Sequence, residues 1–326
     1  MRTIDNETIC VPHRANCIRA VDKNKYENIP GSKTVFRLKH HKDYFIVRTW
    51  LGLGDVLYQR IFIKELHKQY KDRLVLKTPW AELFPDIKLA NQYIYLQAQS
   101  KNVEQNKHRY MSLDYRANLK LGYATEKLKN MSMIRGIEEN TFKLQNFDMD
   151  LKIQDNWMQE AQKLRLPQNA VILYWPTLRY DWHCPERNPD SKYFQYIVDN
   201  NKDCYFVVIS YLRNIEKYEQ EPQNVQARYE HGELHYTTIL ALLKMFPSVV
   251  RPSFTLPAAI AVGGRALCLY GGHFPPSVLT DARMNLQNLC QVSPTPFTDW
   301  KCKTVNKNLN LDQVKEGFKW LISSGT

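Results

Sequence analysis

The sequence predicts an α/β protein made of two halves, each built around a parallel β-sheet. A short apolar run at residues 44–50 is followed by a glycine-containing loop, an amphipathic segment at 56–70 and a second apolar run at 73–78. Strand, loop, helix and strand in this order form a βαβ unit, whose strands pair in parallel. The same order begins again at residues 170–175. The 326 residues, 44% of them hydrophobic and 24% charged, suffice for two domains with apolar cores.

The first half begins after a polar, basic stretch. Residues 1–42 are predicted to form an N-terminal extension, in which the segment TVFRLK suggests an edge strand. A first Rossmann-like domain is predicted over residues 43–152. Further short strands are expected at 93–98 and 109–115, and residues 119–143 are predicted to be mainly helix or loop.

An amphipathic segment at residues 153–166 is predicted to be a helix that joins the two halves, within a linker at 153–168. A second Rossmann-like domain is predicted over residues 169–310, and a final helix within residues 311–326. The second domain contains these predicted elements: strands at 170–175, 204–210, 248–250 and 266–272, and helices at 189–200, 236–246 and 257–264.

Composition restricts the partners and the compartment. A net charge of +12 and a pI near 9.2 favour anionic partners such as nucleic acid, an anionic lipid surface or phosphorylated substrates, although solubility and one phosphate pocket would explain the charge equally well. The chain has no run of the ~18–20 apolar residues that a membrane-spanning helix needs and no apolar core near its start, so we expect a cytoplasmic protein. Its seven cysteines form no C-x-x-C pair, which predicts reduced thiols and no zinc site.

The loop Gly52-Leu53-Gly54-Asp55 lies where the first strand gives way to its helix. Small residues there let a ligand approach the backbone, and the N-terminus of a helix favours anions. A purely structural interpretation is also open, since Asp is a preferred N-cap and two glycines can simply make the turn. The sequence G-L-G-D is not the G-x-G-x-x-G fingerprint, which argues against a nicotinamide-dependent enzyme.

The segment IVRTWLGLGDVLYQRIFIKELHKQY resembles the opening of the heptosyltransferase-like glycosyltransferases, the family of ADP-heptose:LPS heptosyltransferases. The resemblance implies the GT-B fold, two Rossmann-like domains with parallel sheets facing a cleft. It also implies that Asp55 is the general base that activates an acceptor hydroxyl, and that Gly52 and Gly54 form the acceptor loop. Residues 170–194 also resemble segments of uncharacterised phage proteins, which suggests a divergent member encoded by a phage.

The second half carries the implied donor site. Residues 236–276 resemble the family's helix, strand, D-S-G-x-x-H-x-A-A-A and G-P-T-D-P sequence, but Ser253-Phe254-Thr255-Leu256 and G-G-H-F-P stand in place of the two motifs. ADP-heptose is therefore not assumed as the donor. Basic residues of the preceding loop could clamp the donor diphosphate or could simply be exposed to solvent. The predicted donor-binding residues are Arg179, Arg187, Lys192, Ser253, Thr255, Gly271, Gly272 and His273.

These features predict an inverting, metal-independent glycosyltransferase that uses a nucleotide-sugar as co-substrate and no cofactor. Its acceptor is either a surface glycan of the lipopolysaccharide or lipid-linked type, or a hydroxymethylated base in viral DNA. The alternative is a non-catalytic nucleic-acid-binding or scaffold protein that retains a GT-B-like fold.

Overall fold

The structure is a computed structural model of the chain. It describes residues 2–3, 8–10, 20–22, 26–28, 36–38, 45–49, 52–78, 80–87, 91–94, 117–123, 131–179, 187–210, 216–230, 232–272, 274–294 and 307–323. The chain divides into two compact units, Met1–Leu51 with Phe62–Gly122, and Gly52–Ile61 with Tyr123–Thr326. The domain boundaries expected from the sequence stay a prediction. Within the described ranges, no helix is both long enough and apolar enough to cross a bilayer.

The N-terminal part of the first unit contains short antiparallel strands. Three of them form a sheet in the order β1-β2-β3, and the other two, β4 and β5, pair with each other. The strand suggested by TVFRLK corresponds to β5. The bounds are Arg2–Thr3 for β1, Thr8–Cys10 for β2, Ala20–Asp22 for β3, Tyr26–Asn28 for β4 and Phe36–Leu38 for β5.

The rest of the first unit is a four-stranded parallel sheet in the order β8-β7-β6-β9. Its strands are β6 (Phe45–Arg48), β7 (Leu74–Thr78), β8 (Asn91–Ile94) and β9 (Leu119–Lys120). The helix α1 (Leu53–Tyr70) connects β6 to β7, and its residues up to Ile61 are grouped with the second unit. The predicted βαβ unit is confirmed. The ring of Phe45 at the start of β6 stacks on that of Tyr70 at the end of α1, with centroids 3.9 Å apart. The strand predicted at 109–115 lies outside the described residues.

The second unit contains a six-stranded sheet whose strands are all parallel, in the order β14-β12-β10-β15-β16-β17. Counted along the chain, this is the order 3-2-1-4-5-6 of nucleotide-binding Rossmann folds. A separate antiparallel pair joins β11 and β13. The strand bounds are Ala170–Tyr174 (β10), Thr177–Arg179 (β11), Tyr205–Ile209 (β12), Glu216–Tyr218 (β13), Ala227–Tyr229 (β14), Ser248–Val250 (β15), Ala266–Leu269 (β16) and Leu289–Val292 (β17).

The helices of the second unit begin at side-chain caps in several places. Ser132, Asp190 and Asn310 each accept a hydrogen bond from a backbone N–H of the first turn, which satisfies a donor that the helix leaves open. The helix predicted at 257–264 instead begins at Thr255 and ends before the left-handed Gly263. The bounds are Met133–Asn140 (α2), Asp155–Gln162 (α3), Ser191–Asn200 (α4), Tyr236–Met245 (α5), Thr255–Val262 (α6), Pro276–Leu279 (α7) and Leu311–Ile322 (α8).

Apolar burial holds this sheet in place. Alternate residues of β10, Val171 and Leu173, belong to a buried cluster with side chains of α4 and α8, while Ile172 on the other face of the strand is also buried. A strand that is apolar on both faces is typical of a parallel sheet covered by helices on both sides. Each such side chain stabilises the fold by about 1.5–3 kcal/mol. Because β10 is packed on both faces, the loop that follows its carboxyl end starts from a fixed position.

An ion-pair network ties α2 to the segment after α7. Arg283 donates to both carboxylate oxygens of Glu138, at 2.9 and 3.1 Å, and to both of Asp281, at 2.8 and 3.0 Å. The hydroxyl of Ser132, the cap of α2, donates to Asp281 at 2.6 Å. These bonds hold the pKa of Asp281 down at about 2 despite its burial.

Candidate active site

The Gly52–Asp55 loop forms the first turn of α1. The helix begins at Leu53, and the amide of Val56 donates to the carbonyl of Gly52 at 3.0 Å. Asp55 is therefore the third helical residue and not the N-cap that the structural interpretation of the loop would make it. The helix starts earlier because the Gly52 carbonyl accepts its first hydrogen bond. An acidic residue in the first turn is stabilised by the partial positive charge of the helix N-terminus.

Each glycine of the loop makes room for one neighbour. A Cβ at position 52 would lie 2.3 Å from Oδ2 of Asp55, so the carboxylate occupies the space that any other side chain would fill. A Cβ at position 54 would lie 3.1 Å from the Cα of Phe254, the residue that precedes α6. The glycines therefore place the Asp55 side chain and allow a close approach of two backbones.

The Asp55 carboxylate lies among one cation and two phenols. Tyr123, which follows β9, donates its hydroxyl hydrogen to Oδ1 at 2.9 Å. Burial raises the pKa of Asp55 above its ordinary value, while the Tyr123 hydrogen bond and the charge of Arg187 act in the opposite direction. A carboxyl group whose pKa is raised by burial is a stronger base than an exposed one, which is the property of a catalytic proton acceptor.

Tyr58 lies one turn after Asp55 on α1. Its hydroxyl donates to the carbonyl of Leu279, the last residue of α7, at 2.7 Å. Burial, followed by the negative charge of Asp55, raises its pKa well above the usual range, so the phenol stays neutral. Burial also raises the pKa of Tyr270, to which the nearby phenol of Tyr58 contributes. The start of α1 therefore lies near the segment that leads into Gly271.

A buried arginine holds the loops at the carboxyl ends of β10 and β15. Arg251 donates to the Oδ1 of Asn188 at 2.7 Å, to the Oγ1 of Thr177 at 2.8 Å and to the carbonyl of Trp175 at 3.3 Å. Asn188 in turn donates to the carbonyl of Thr177 at 2.8 Å. Strands β10 and β15 are the first and fourth of the sheet, where its order reverses and where Rossmann folds bind their ligands.

Arg187 is the predicted donor residue that the structure brings to Asp55. It directly precedes Asn188, which Arg251 binds, and it is half-buried. Its guanidinium lies 5.5 Å from the ring centroid of Phe274. Its charge acts on the Asp55 carboxylate. A cation in this place can neutralise an anionic group that approaches Asp55.

The other predicted donor residues are placed in different ways. Lys192 pairs with Asp190 at 3.2 Å on the surface of α4. The hydroxyls of Ser253 and Thr255 bond to each other at 2.8 Å where α6 begins, and Thr255 is fully buried. Gly271 and Gly272 are buried, and Gly272 has a φ of 84°, which favours glycine. Their donor-binding roles stay predictions.

Two predicted donor residues cannot be placed by their side chains. The backbone of Arg179 pairs with Glu216 between β11 and β13, but its side chain lies outside the described residues, as does the whole of His273.

Among the described residues, no group of three or more His, Cys, Asp or Glu side chains is arranged to hold a metal ion. Cys204, Cys268 and Cys290 are free thiols.

Three residues of the site were not found from the sequence. Tyr123 follows a strand of two residues, in a stretch without clear periodicity. Tyr58 has the spacing of an ordinary core residue on α1. Arg251 directly follows the three-residue strand β15 and was not singled out from the sequence. No signal in the sequence indicated Tyr123, whereas a charge directly after a buried strand could have drawn attention to Arg251.

No protein-family profile and no curated protein matches the chain, whereas several solved structures do. A family 9 glycosyl transferase from Veillonella parvula matches with a TM-score of 0.55 and 13% identity over 85% of this chain and 97% of that one. ADP-heptose LPS heptosyltransferase II from E. coli matches with a TM-score of 0.55 and 11% identity over 85% of this chain and 98% of that one.

A third similar structure is TibC, a dodecameric, iron-containing heptosyltransferase in complex with ADP-D-beta-D-heptose. It matches with a TM-score of 0.57 and 13% identity over 95% of this chain and 88% of that one. At such identities the likeness shows the fold alone. The α/β GT-B fold class and the resemblance to heptosyltransferase-like glycosyltransferases are thus confirmed at the level of fold, while a phage origin stays a prediction.

Proposed function

We propose that this protein is an inverting glycosyltransferase that moves a sugar from a nucleoside-diphosphate donor to an acceptor hydroxyl. The observation that carries the proposal is the Asp55 carboxylate at the start of α1, which accepts the Tyr123 hydrogen bond, has a pKa raised by burial and feels the charge of Arg187. The fold shared with family 9 glycosyl transferases supports the proposal further.

In the proposed reaction, Asp55 is the general base. Its carboxylate takes the proton of the acceptor hydroxyl as that oxygen attacks the anomeric carbon from the face opposite the leaving group. The bond between this carbon and the donor phosphate oxygen breaks, and its electron pair leaves with the nucleoside diphosphate. One displacement of this kind inverts the anomeric configuration.

The leaving diphosphate needs positive charge as it departs. Arg187 supplies a guanidinium close to Asp55, and Arg251 holds the loop that carries Arg187 through Asn188. The N-terminus of α6 adds backbone N–H groups, which favour phosphate oxygens. We propose that these groups stabilise the diphosphate without a divalent ion, so that transfer should persist in EDTA.

The donor is proposed to be a nucleotide-sugar, without a further cofactor. The complex of TibC with ADP-D-beta-D-heptose makes ADP-sugars the first donors to test, although Ser253 stands where the family's motif has Asp. The proposed acceptor is a surface glycan, because one similar structure is an LPS heptosyltransferase. None of the similar structures named above supports DNA as the acceptor.

The experiment is a thermal-shift screen of nucleoside diphosphates and their sugars, followed by NMR of the product's anomeric proton. A ligand that binds only the folded protein raises its melting temperature. We expect stabilisation by one nucleotide, and a product whose anomeric configuration is opposite to that of the donor, with and without EDTA. A retained configuration would refute the proposed mechanism, and the absence of both stabilisation and product would favour the non-catalytic alternative.

A second arm of this experiment separates the acceptors. Binding to DNA releases counterions, so its affinity would fall steeply between about 50 and 200 mM salt. We expect transfer to a glycan acceptor to change little over that range. Transfer to hydroxymethylated DNA with a steep salt dependence would contradict the proposed acceptor but not the chemistry.

A further inference from the structure

The two oxygens of the Asp55 carboxylate have different surroundings. Oδ1 accepts the hydrogen bond of Tyr123 at 2.9 Å. Oδ2 occupies the space that a side chain at position 52 would fill, 2.3 Å from where a Cβ of that residue would lie. Within the described part of the chain, the Tyr123 phenol is the only side chain that donates a hydrogen bond to this carboxylate. Oδ2 is therefore the oxygen available for the acceptor's proton.

Tyr123 can act on Asp55 only as a donor. Its phenol is largely buried, and burial together with the negative charge of Asp55 raises its pKa far above the usual range. It stays protonated at any pH at which a sugar transferase is assayed. A phenol that donates to a carboxylate stabilises the charged form, and it also fixes the rotation of the carboxylate plane.

We infer that Tyr123 is a positioning residue of the transfer reaction, which holds Oδ1 of Asp55 so that Oδ2 faces the acceptor hydroxyl as the base. This inference rests on the proposed function, because it gives Tyr123 a role only if Asp55 is the base.

The pH dependence of kcat/KM is sensitive to the hydrogen bond between Tyr123 and Asp55. Among the described residues, the titratable and charged groups that interact with Asp55 are Tyr123, Arg187 from the loop before α4 and Tyr58 from α1. Both phenols have pKa values raised far above neutrality, and a guanidinium keeps its charge throughout. The acid limb of kcat/KM therefore belongs to the Asp55 carboxylate. The Tyr123 hydrogen bond lowers the pKa of Asp55, so its loss raises that pKa. The acid limb of the pH profile must then move to higher pH.

The test compares Tyr123→Phe with the wild-type chain. We expect kcat to fall by about tenfold, the effect of losing one hydrogen bond to a charged group, and the acid limb to move to higher pH, with the thermal shift by the donor nucleotide unchanged. The control is Tyr193→Phe, which also removes a buried hydroxyl, here one bonded to the backbone of Leu309. This variant should lose stability and keep the position of the acid limb.

Two further measurements separate the possible failures. In an Asp55→Asn background, Tyr123→Phe should have no additional effect on the residual rate, because the oxygen that it positions is no longer a base. If Asp55→Asn transfers at the wild-type rate, Asp55 is not the general base, so the proposed mechanism and this inference both fail. If Asp55→Asn is inactive but Tyr123→Phe keeps the wild-type acid limb, the inference alone is wrong.

A second substitution covers the case in which Tyr123→Phe does not fold. A ring-fluorinated tyrosine at position 123 is a more acidic phenol and hence a stronger donor, so it should move the acid limb to lower pH, opposite to Tyr123→Phe. A shift in the same direction as Tyr123→Phe, or no shift, would overturn the inference.

Discussion

Gly52→Ala tests whether the carboxylate of Asp55 lies where the structure places it. The added Cβ would be 2.3 Å from Oδ2, 3.3 Å from Cγ and 3.8 Å from Cβ of Asp55, and these are its three nearest neighbours. Gly52 is not among the glycines of positive φ, so alanine fits the backbone. The substitution therefore acts on one side chain.

The expected magnitude follows from the overlap. Non-bonded heavy atoms pack at roughly 3.5 Å, so the carboxylate must move by about 1 Å. A displacement of this size at a reacting group costs on the order of 100-fold in rate. The side chain can rotate away, at a cost of about 1 kcal/mol for an unfavourable rotamer. We thus expect a large loss of kcat and only a small loss of stability.

The assay combines steady-state transfer with urea unfolding of Gly52→Ala, Asp55→Ala and the double variant. Without the Asp55 side chain the overlap disappears, so Gly52→Ala should cost less stability in the Asp55→Ala background than in the wild type, by about 1 kcal/mol. The nucleotide thermal shift should be kept in all variants. A Gly52→Ala protein that transfers at the wild-type rate would refute the placement of the carboxylate over Gly52.

Two further predictions concern stability. Because the pKa of Asp281 is held at about 2, below its ordinary 3.8, its ion pairs contribute about 2 kcal/mol above pH 4. This contribution is lost as the pH falls toward 2, so acid should unfold the wild type more steeply than Asp281→Asn in urea titrations at several pH values. In Gly264→Ala the new Cβ would lie 2.0 Å from the carbonyl oxygen of Leu243 in α5. A backbone atom cannot rotate away, so we expect a loss of about 1–3 kcal/mol or more, and an unchanged urea midpoint would contradict the packing of α5 against α6.

Local patterns predicted most of the fold. The βαβ unit at the start of α1 and the strand β10 were found because buried parallel strands are apolar on both faces and because amphipathic helices repeat every 3.6 residues. The end of α6 was predicted two residues too late, at 264, although Gly263 is the left-handed residue that commonly follows a helix C-terminus. These are properties of residues that lie close together in the chain.

The candidate site was predicted only in part. Asp55 was found because it lies within the glycine loop, but its partner Tyr123 is 68 residues away. Arg251 holds partners 63 and 76 residues away, and no local pattern carries that information. Lys192 was predicted to bind the donor; its ammonium group pairs with Asp190, two residues earlier in the chain, and its donor role stays a prediction. Long-range pairings are set by the tertiary fold and not by periodicity.

A single-turnover measurement with saturating donor, comparing the wild type with Asp55→Asn, decides whether Asp55 is the general base. Asparagine keeps the size of the side chain and still accepts the Tyr123 hydrogen bond, but it cannot take a proton. We predict that the rate of Asp55→Asn is lower by about 10²–10⁴-fold and that the thermal shift by the nucleotide is retained. A rate equal to that of the wild type would contradict the claim that Asp55 is the general base.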